Sequence, residues 1–282
     1  MLKNKILKVI LILENLLISI ILFYFITKNF QNFKSDFLYY LYIFDSFISK
    51  NLLSFSLSFV FLIGVLMSQI FLWKKIFDIN FIKVNHLNSL YFFSLIHFKR
   101  LFSPLGPISP ILNINEDFKK STIIYTTYVI FITLGSIIFF AIPILLLYPL
   151  LIFIFPVIFI LSKIIIKKII GRLNLKDFFV LLFTSYLNEF FSYTVFIFSL
   201  KLFSININIF DSIFIYLIWV IISSLFPFLY GTGTSELLSI FLASYLGYNS
   251  ALFALGIIYY RLIITYLPIL LIILFKLKIF KN

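Results

Sequence analysis

The sequence contains no cysteine and only two histidines, His86 and His97. The absence of cysteine excludes disulfide bonds, thiolate nucleophiles and metal sites built on cysteine, and the two histidines do not have the spacing of metal ligands. Charged residues make up only 12% of the 282 residues, whereas 63% are hydrophobic and the mean hydropathy is +1.15. No soluble globular domain has this composition, so we expect an all-α polytopic membrane protein.

Negative charge is also scarce, with 10 aspartates and glutamates against 23 lysines and arginines. The net charge of +13 would suit a nucleic-acid-binding protein, but the basic residues stand in short runs beside apolar segments. That placement is typical of the signals that orient membrane spans, and such runs also contact anionic lipid headgroups. We therefore expect no nucleic-acid partner.

Apolar segments recur along the whole chain, at about 6–27, 51–72, 86–101, 119–141, 143–162, 178–201, 210–228, 235–247 and 250–275. One topology agrees with the positions of the basic runs that flank these segments. It has six full transmembrane helices and two re-entrant elements, at 86–113 and 210–247. This arrangement makes 28–50 an outside loop and places both termini in the cytoplasm of a multi-pass cell-membrane protein. The first apolar segment is long enough to span and is predicted to be a retained helix, not a cleaved signal.

The two re-entrant elements predict inverted repeats within a single membrane domain, with 1–141 as the first half and 142–282 as the second. Each element carries Pro and Gly, in RLFSPLGPISPILN at Arg100–Asn113 and in FPFLYGTGTSELL at Phe226–Leu238. These residues break helices, and broken backbone persists at membrane depth only where protein or a polar cavity surrounds it. In transporters, breaks at corresponding positions mark a binding site near the bilayer midplane.

The second of these runs carries a spaced motif. The pattern P-x-x-x-G-x-G-x-x-E begins at Pro227 and is followed by Gly247, by Arg261 within the last span and by Pro268. It resembles the C-terminal signature of the lysylphosphatidylglycerol synthase transmembrane-region family, also called flippase-like membrane proteins. The P-L-G-P of the first element and Leu72-Trp73-Lys74 resemble further motifs of that family. Full-length synthases add a soluble aminoacyl-transfer domain that these 282 residues lack, so the resemblance implies lipid handling or translocation, not aminoacylation.

Charged residues inside apolar segments are the first candidates for a site. Arg261 lies deep in the last span and needs a partner, for which Glu236 is the first candidate and Glu189 the second. Glu236 is predicted at a helix start, where the helix dipole favours negative charge and Thr234 or Ser235 can cap the helix. Arg261 forms a structural ion pair or contacts a lipid phosphate, and both roles can hold in turn.

Backbone N–H groups at the start of the same helix are the second candidate. The backbone N–H groups of Gly231, Thr232, Gly233, Thr234 and Ser235 lie at that helix start and could cradle an anion such as a lipid headgroup. Glu189 lies near the middle of an apolar segment, where a carboxyl is either protonated and hydrogen-bonded or paired and facing a cavity. Arg100 is either a snorkelling interfacial cation or a second cation that faces the phosphate.

Together these patterns predict an integral membrane protein that binds and translocates an anionic phospholipid or a polyprenyl-phosphate-linked lipid. We expect no catalytic residue, metal or cofactor. The chain has no Walker motif, so the energy source for translocation is either the lipid gradient itself (downhill scrambling) or a coupled ion. One alternative is a membrane-embedded transferase that uses a lipid-phosphate donor, although it would need a base and usually a metal site. Another is a non-catalytic partner subunit of a separate transferase. A homo-oligomer is a further candidate assembly.

Overall fold

The chain is described by a computed structural model, which gives the backbone of residues 33–102, 118–147, 174–225 and 234–270, together with Ile20, Tyr24, Ile160 and Ile164. These residues contain helices and no strand. The nine α-helices, numbered in chain order, are α1 Phe33–Tyr42, α2 Phe44–Lys50, α3 Leu52–Ile79, α4 His86–Phe102, α5 Phe118–Leu147, α6 Leu175–Leu202, α7 Ile209–Leu225, α8 Thr234–Tyr245 and α9 Ser250–Arg261. A π-helix, Leu262–Tyr266, continues α9.

Four helical segments are long and apolar enough to cross a membrane, namely Leu52–Ile79, Ser121–Pro143, Leu175–Leu202 and Ser250–Leu270. The two of 28 residues are each about 42 Å long, which exceeds the roughly 30 Å hydrocarbon core of a bilayer. A shorter apolar helix covers Ile209–Ser223. The protein is therefore an all-α polytopic membrane protein, as its composition predicts, and the layout of six spans and two re-entrant elements stays a prediction.

Two predicted boundaries differ from the structure. Residues 28–50 were expected to form a loop, but 33–50 form α1 and α2, because aromatic and aliphatic side chains outnumber polar ones there. The predicted helix end at 141 is also wrong, since α5 continues through Pro143 to Leu147. A proline removes one backbone hydrogen bond, which neighbouring groups can satisfy in a long membrane helix.

Three helices end with the same hydrogen bond, in which a backbone N–H binds the carbonyl five positions earlier. These bonds join Ile82 to Phe77 at 3.0 Å, Ile205 to Leu200 at 3.2 Å, and Tyr248 to Ala243 at 2.9 Å. The residue before each donor has a positive φ, 59° at Phe81, 59° at Ser204 and 88° at Gly247. This is the Schellman motif, in which glycine is the usual residue because it has no Cβ. Gly247, which follows the spaced motif, therefore ends α8, whereas Phe81 and Ser204 carry strain of about 1 kcal/mol each.

The helices group into two compact units. Unit 1 comprises described residues 33–62, 97–102, 193–225 and 234–268, and unit 2 comprises 63–96, 118–147, 174–192 and 269–270. Helices α3 and α6 contribute to both units, and each unit takes segments from both sides of residue 141. The division into inverted halves at 141 stays a prediction.

Unit 2 has an aromatic core in which the side chains of Trp73, Phe77, Phe131 and Phe178 are fully buried. Within it α5 approaches α6 closely at Gly135. A Cβ atom there would lie 2.6 Å from the backbone carbonyl carbon of Ser185. The glycine is therefore required for this helix contact, because any side chain would force the two backbones apart.

Unit 1 is built around α9, which packs against α1 and α8, while α8 also packs against α7. The rings of Phe44 and Phe203 lie 6.4 and 6.3 Å from that of Tyr259. The Tyr259 hydroxyl shares a hydrogen bond with Ser58 Oγ at 3.0 Å. These contacts hold α9, the helix that carries Arg261, in a fixed position within unit 1.

Candidate functional site

Arg261 is the last residue of α9, and its side chain is buried with 4% of the residue exposed. It lies inside the candidate span Ser250–Leu270, at the end of a 12-residue helix that is about 18 Å long. The backbone then widens into the π-helix Leu262–Tyr266. Pro268 gives the reason, because its ring would clash with a carbonyl one turn earlier in a regular α-helix. Arg261 thus precedes a local change of helix geometry of a kind often found at functional sites.

Glu236 is the partner of Arg261, as expected for the first of the two candidates. Arg261 Nε donates to Glu236 Oε1 at 2.5 Å, and Arg261 Nη2 donates to Ser235 Oγ at 3.2 Å. Ser235 Oγ in turn donates to Glu236 Oε2 at 2.9 Å. The three side chains form a closed, buried set of hydrogen bonds. Charged donors and acceptors make such bonds stronger than neutral ones.

The first turn of α8 places these polar groups together. The helix begins at Thr234, and Glu236 lies in its first turn, as the sequence predicts. The positive end of the helix dipole stabilises a carboxylate at this position. Ser239 Oγ donates to the Ser235 carbonyl at 2.8 Å, and Thr234 is buried beside them. The start of α8 therefore presents a polar face inside unit 1.

Trp219 of α7 forms the apolar side of the site. The guanidinium carbon of Arg261 lies 5.0 Å from the ring centroid of Trp219, a cation–π contact worth about 0.5–2 kcal/mol. The ring of Tyr260 meets that of Trp219 edge to face at 5.1 Å. Trp219 Nε1 is buried and has no hydrogen-bond partner in the part of the chain that the structure describes. We call Trp219, Ser235, Glu236 and Arg261 the arginine cluster.

Trp219 was not among the residues predicted for the site. The available signal was its rarity, because the chain has only two tryptophans and this one lies in the helix before the run that contains Pro227, Gly231 and Gly233. Hydrophobic periodicity could not identify it, since the residues around Trp219 in α7 are all apolar and do not indicate which face meets the site.

The turn between α8 and α9 fixes the position of both helices. Asn249 caps α9, because its side chain accepts hydrogen bonds from two N–H groups of the first turn. Tyr248 Oη donates to Asp211 Oδ2 at 2.7 Å and accepts from Asn208 N at 3.0 Å. Burial raises the pKa of the Tyr248 hydroxyl, and the neighbouring Asp211 carboxylate raises it further. The turn is thereby tied to the start of α7, so that the three helices of the arginine cluster meet.

The structure describes the remaining predicted site residues to different extents. Gly231, Thr232 and Gly233 lie outside the described residues. Arg100 lies in α4, of which only the backbone is described at that point. Glu189 belongs to unit 2, where its side chain is buried in α6. The observed cluster is therefore built from predicted residues of α8 and α9 and from one tryptophan of α7.

Among the described residues, no group of three or more His, Asp or Glu side chains is placed to hold a metal ion. No protein-family model matches the chain, and neither a curated protein nor a solved structure matches it. The resemblance to the flippase-like family therefore stays a prediction that rests on the motifs.

Proposed function

We propose that this membrane protein binds the phosphate headgroup of an anionic lipid at the arginine cluster and helps that lipid to cross the bilayer. The observation that carries the proposal is the buried Arg261 within a candidate span, paired with Glu236 and covered by Trp219. A charged residue at membrane depth is costly, and such residues commonly mark substrate pathways. A phospholipid or a polyprenyl-phosphate-linked lipid carries the group that the guanidinium fork binds best.

An exchange of partners is the proposed mechanism. Glu236 neutralises Arg261 while no headgroup is bound. An incoming phosphate replaces that carboxylate, because it presents two oxygens to the same fork of N–H groups. The start of α8 favours a negative charge in both states. Arg261 thus keeps an anionic partner in both states, and the displaced Glu236 carboxylate keeps the hydrogen bond from Ser235 Oγ and the favourable end of the helix dipole. The acyl tails stay in lipid between the helices.

The packing of α7 against α8 supports a re-entrant element in this part of the chain. The two helices have 17 and 12 residues, and they flank residues 226–233. A 12-residue helix is about 18 Å long, too short to cross a bilayer alone. We propose that the pair enters and leaves on one side, in a multi-pass protein of the cell membrane with both termini in the cytoplasm.

Translocation of labelled phosphatidylglycerol in liposomes tests the function. We expect Arg261→Gln to lower the rate by about tenfold or more, the effect of losing one charge-assisted contact. Arg261→Lys keeps the charge without the fork and should fall between Arg261→Gln and the unchanged protein. Lys201→Gln is the matched control, because it removes an exposed cation at the end of α6 and should leave the rate unchanged.

Binding is measured separately through Trp219. In a Trp73→Phe background, Trp219 is the only tryptophan and lies against the guanidinium of Arg261. Dihexanoyl-phosphatidylglycerol should change its emission in a saturable way, whereas dihexanoylglycerol, which lacks the phosphate, should not. A folded Arg261→Gln protein that translocates phosphatidylglycerol at the original rate would show that the headgroup does not use this site.

A further inference from the structure

An open groove lies between α5 and α6 in unit 2. Its volume is about 410 Å³, and it is lined by two residues of α5 and four of α6, namely Ile138, Ile142, Phe179, Leu182, Phe183 and Tyr186. Three of these side chains are well exposed, with exposed fractions of 41% at Ile142, 48% at Phe179 and 61% at Phe183. Both helices contain candidate membrane spans. An occupant of this groove therefore has to be apolar.

The α6 side of the groove covers the depth of one leaflet. Its lining extends from Phe179 to Tyr186, which is seven residues or about 10 Å along the helix. When the 28-residue α6 is centred in a hydrocarbon core of about 30 Å, each end projects about 6 Å beyond that core. Phe179 then lies at the edge of the core and Tyr186 about 10 Å inside it. An acyl chain of one leaflet occupies the same range of depth.

The groove is too narrow for a helix of a second copy of the chain. Divided by its length along α6, its volume corresponds to a cross-section of about 40 Å². A helix about 10 Å across has a cross-section of about 80 Å². Such a helix would lie over the groove and leave part of it empty, and the lining side chains would lose dispersion contacts there. A flexible acyl chain can enter the groove and fill it.

A lysine lies at the shallow end of the groove. Lys176 is in the first turn of α6, three residues before Phe179, so the two side chains are neighbours on one helix face. Lys176 is exposed and forms no ion pair within the part of the chain that the structure describes. The adjacent acid, Asp177, is already paired with Lys75. A lysine can lay its stem along apolar surface and keep its ammonium at headgroup level, where the positive charge complements a lipid phosphate.

We propose that the groove between α5 and α6 binds an anionic phospholipid, with one acyl chain in the groove and the phosphate against Lys176. A zwitterionic phospholipid fills the groove equally well but gains less from the lysine, so the site selects lipids with a net negative charge. This lipid is held at the surface of unit 2, whereas the arginine cluster belongs to unit 1. The inference therefore does not require that any headgroup passes the arginine cluster.

Quenching by brominated lipid provides the test. Phe183→Trp keeps a large aromatic ring at the most exposed position of the groove. Bromine on an acyl chain quenches tryptophan emission on contact, and the emission of the two natural, buried tryptophans is subtracted with the unchanged protein. The variant is placed in vesicles of dibrominated phosphatidylcholine that contain rising fractions of unbrominated phosphatidylglycerol or phosphatidylcholine. We expect phosphatidylglycerol to relieve the quenching with about fivefold preference, the factor for one cation near the membrane surface.

Lys176→Gln, introduced with the reporter, should remove this preference. Lys201→Gln is the matched control, because it removes an exposed cation at the opposite end of α6, and it should leave the preference unchanged. Phe179→Trp is a second reporter in the same groove.

Three results would overturn the proposal. Equal relief by the two lipids would show ordinary contact with the bilayer and no selective site. A folded Lys176→Gln protein that keeps the preference would show that the lysine does not bind the headgroup. A lack of quenching at both reporter positions in pure dibrominated phosphatidylcholine would show that protein, such as a second copy of the chain, covers the groove.

Discussion

The ion pair of the arginine cluster provides the sharpest prediction of stability. The side chains of Arg261 and Glu236 are 5% and 12% exposed, so each charge depends on the other for its neutralisation. Removing one partner of a buried pair typically destabilises a protein by about 3–5 kcal/mol, because the remaining charge is left unpaired. We expect this loss for Arg261→Gln and for Glu236→Gln. The arginine variant also loses the contact with Trp219, worth about 0.5–2 kcal/mol.

The double variant distinguishes a true pair from two independent losses. With both charges replaced by amides, no buried charge remains, so the double variant should be less destabilised than the sum of the singles by about 2 kcal/mol. Thermal unfolding in detergent, followed by tryptophan emission, measures each step. A loss of 3–5 kcal/mol lowers the unfolding temperature by about 10 °C in a chain of this size. Strictly additive shifts would refute the reasoning.

A second ion pair in the same chain serves as the control. Lys75 Nζ lies 2.5 Å from Asp177 Oδ1, the same distance as in the arginine cluster, but these side chains are 33% and 17% exposed. Exposed pairs contribute about 0–1 kcal/mol because water screens them. Lys75→Gln should therefore shift the unfolding temperature by only about 2 °C. Equal shifts for Lys75→Gln and Arg261→Gln would show that burial is not the cause.

Three further predictions concern packing, pH and topology. Gly135→Ala places a Cβ 2.6 Å from the Ser185 carbonyl carbon and should destabilise unit 2 by about 1–3 kcal/mol, measured by thermal unfolding. Tyr248→Phe removes the bond to Asp211, and should lower the unfolding temperature at neutral pH. The folded-state pKa of Tyr248 is raised above its ordinary value, so this contribution is complete below about pH 10 and is lost as pH rises through the raised pKa. The difference between Tyr248→Phe and the unchanged protein should then vanish at higher pH. A single cysteine at Asn113 should react with a membrane-impermeant label from the cytoplasmic side; labelling only from outside would contradict the re-entrant arrangement.

Features that depend on local sequence and on the solvent could be predicted. The lengths of the apolar runs give the four candidate spans because each backbone segment in lipid must satisfy its own hydrogen bonds. The start of α8 near Glu236 follows from the low helix propensity of the preceding glycines and from an acid that the helix dipole favours. The pairing of Arg261 with Glu236 follows from the cost of an unpaired charge at membrane depth.

Features that depend on which helix faces meet could not be predicted. Trp219 covers the guanidinium only because α7 packs against α8 and α8 against α9. The side chain of Asn188 lies within hydrogen-bond distance of those of Gln69 and Ser68, although 119 and 120 residues separate them in the chain. The left-handed backbone at Phe81 contradicts the local preference of phenylalanine.

The sequence by itself therefore determined that this chain is a helical membrane protein with a buried arginine that requires an acidic side chain as its ion-pair partner. Hydrophobic length and the cost of charge in lipid act on each segment separately, so they can be read along the chain. Only the tertiary structure decided which aromatic ring covers that arginine and which amide side chains of unit 2 lie together. Uniformly apolar helices carry no directional signal, and their orientation is fixed by close packing against neighbours, such as the contact at Gly135.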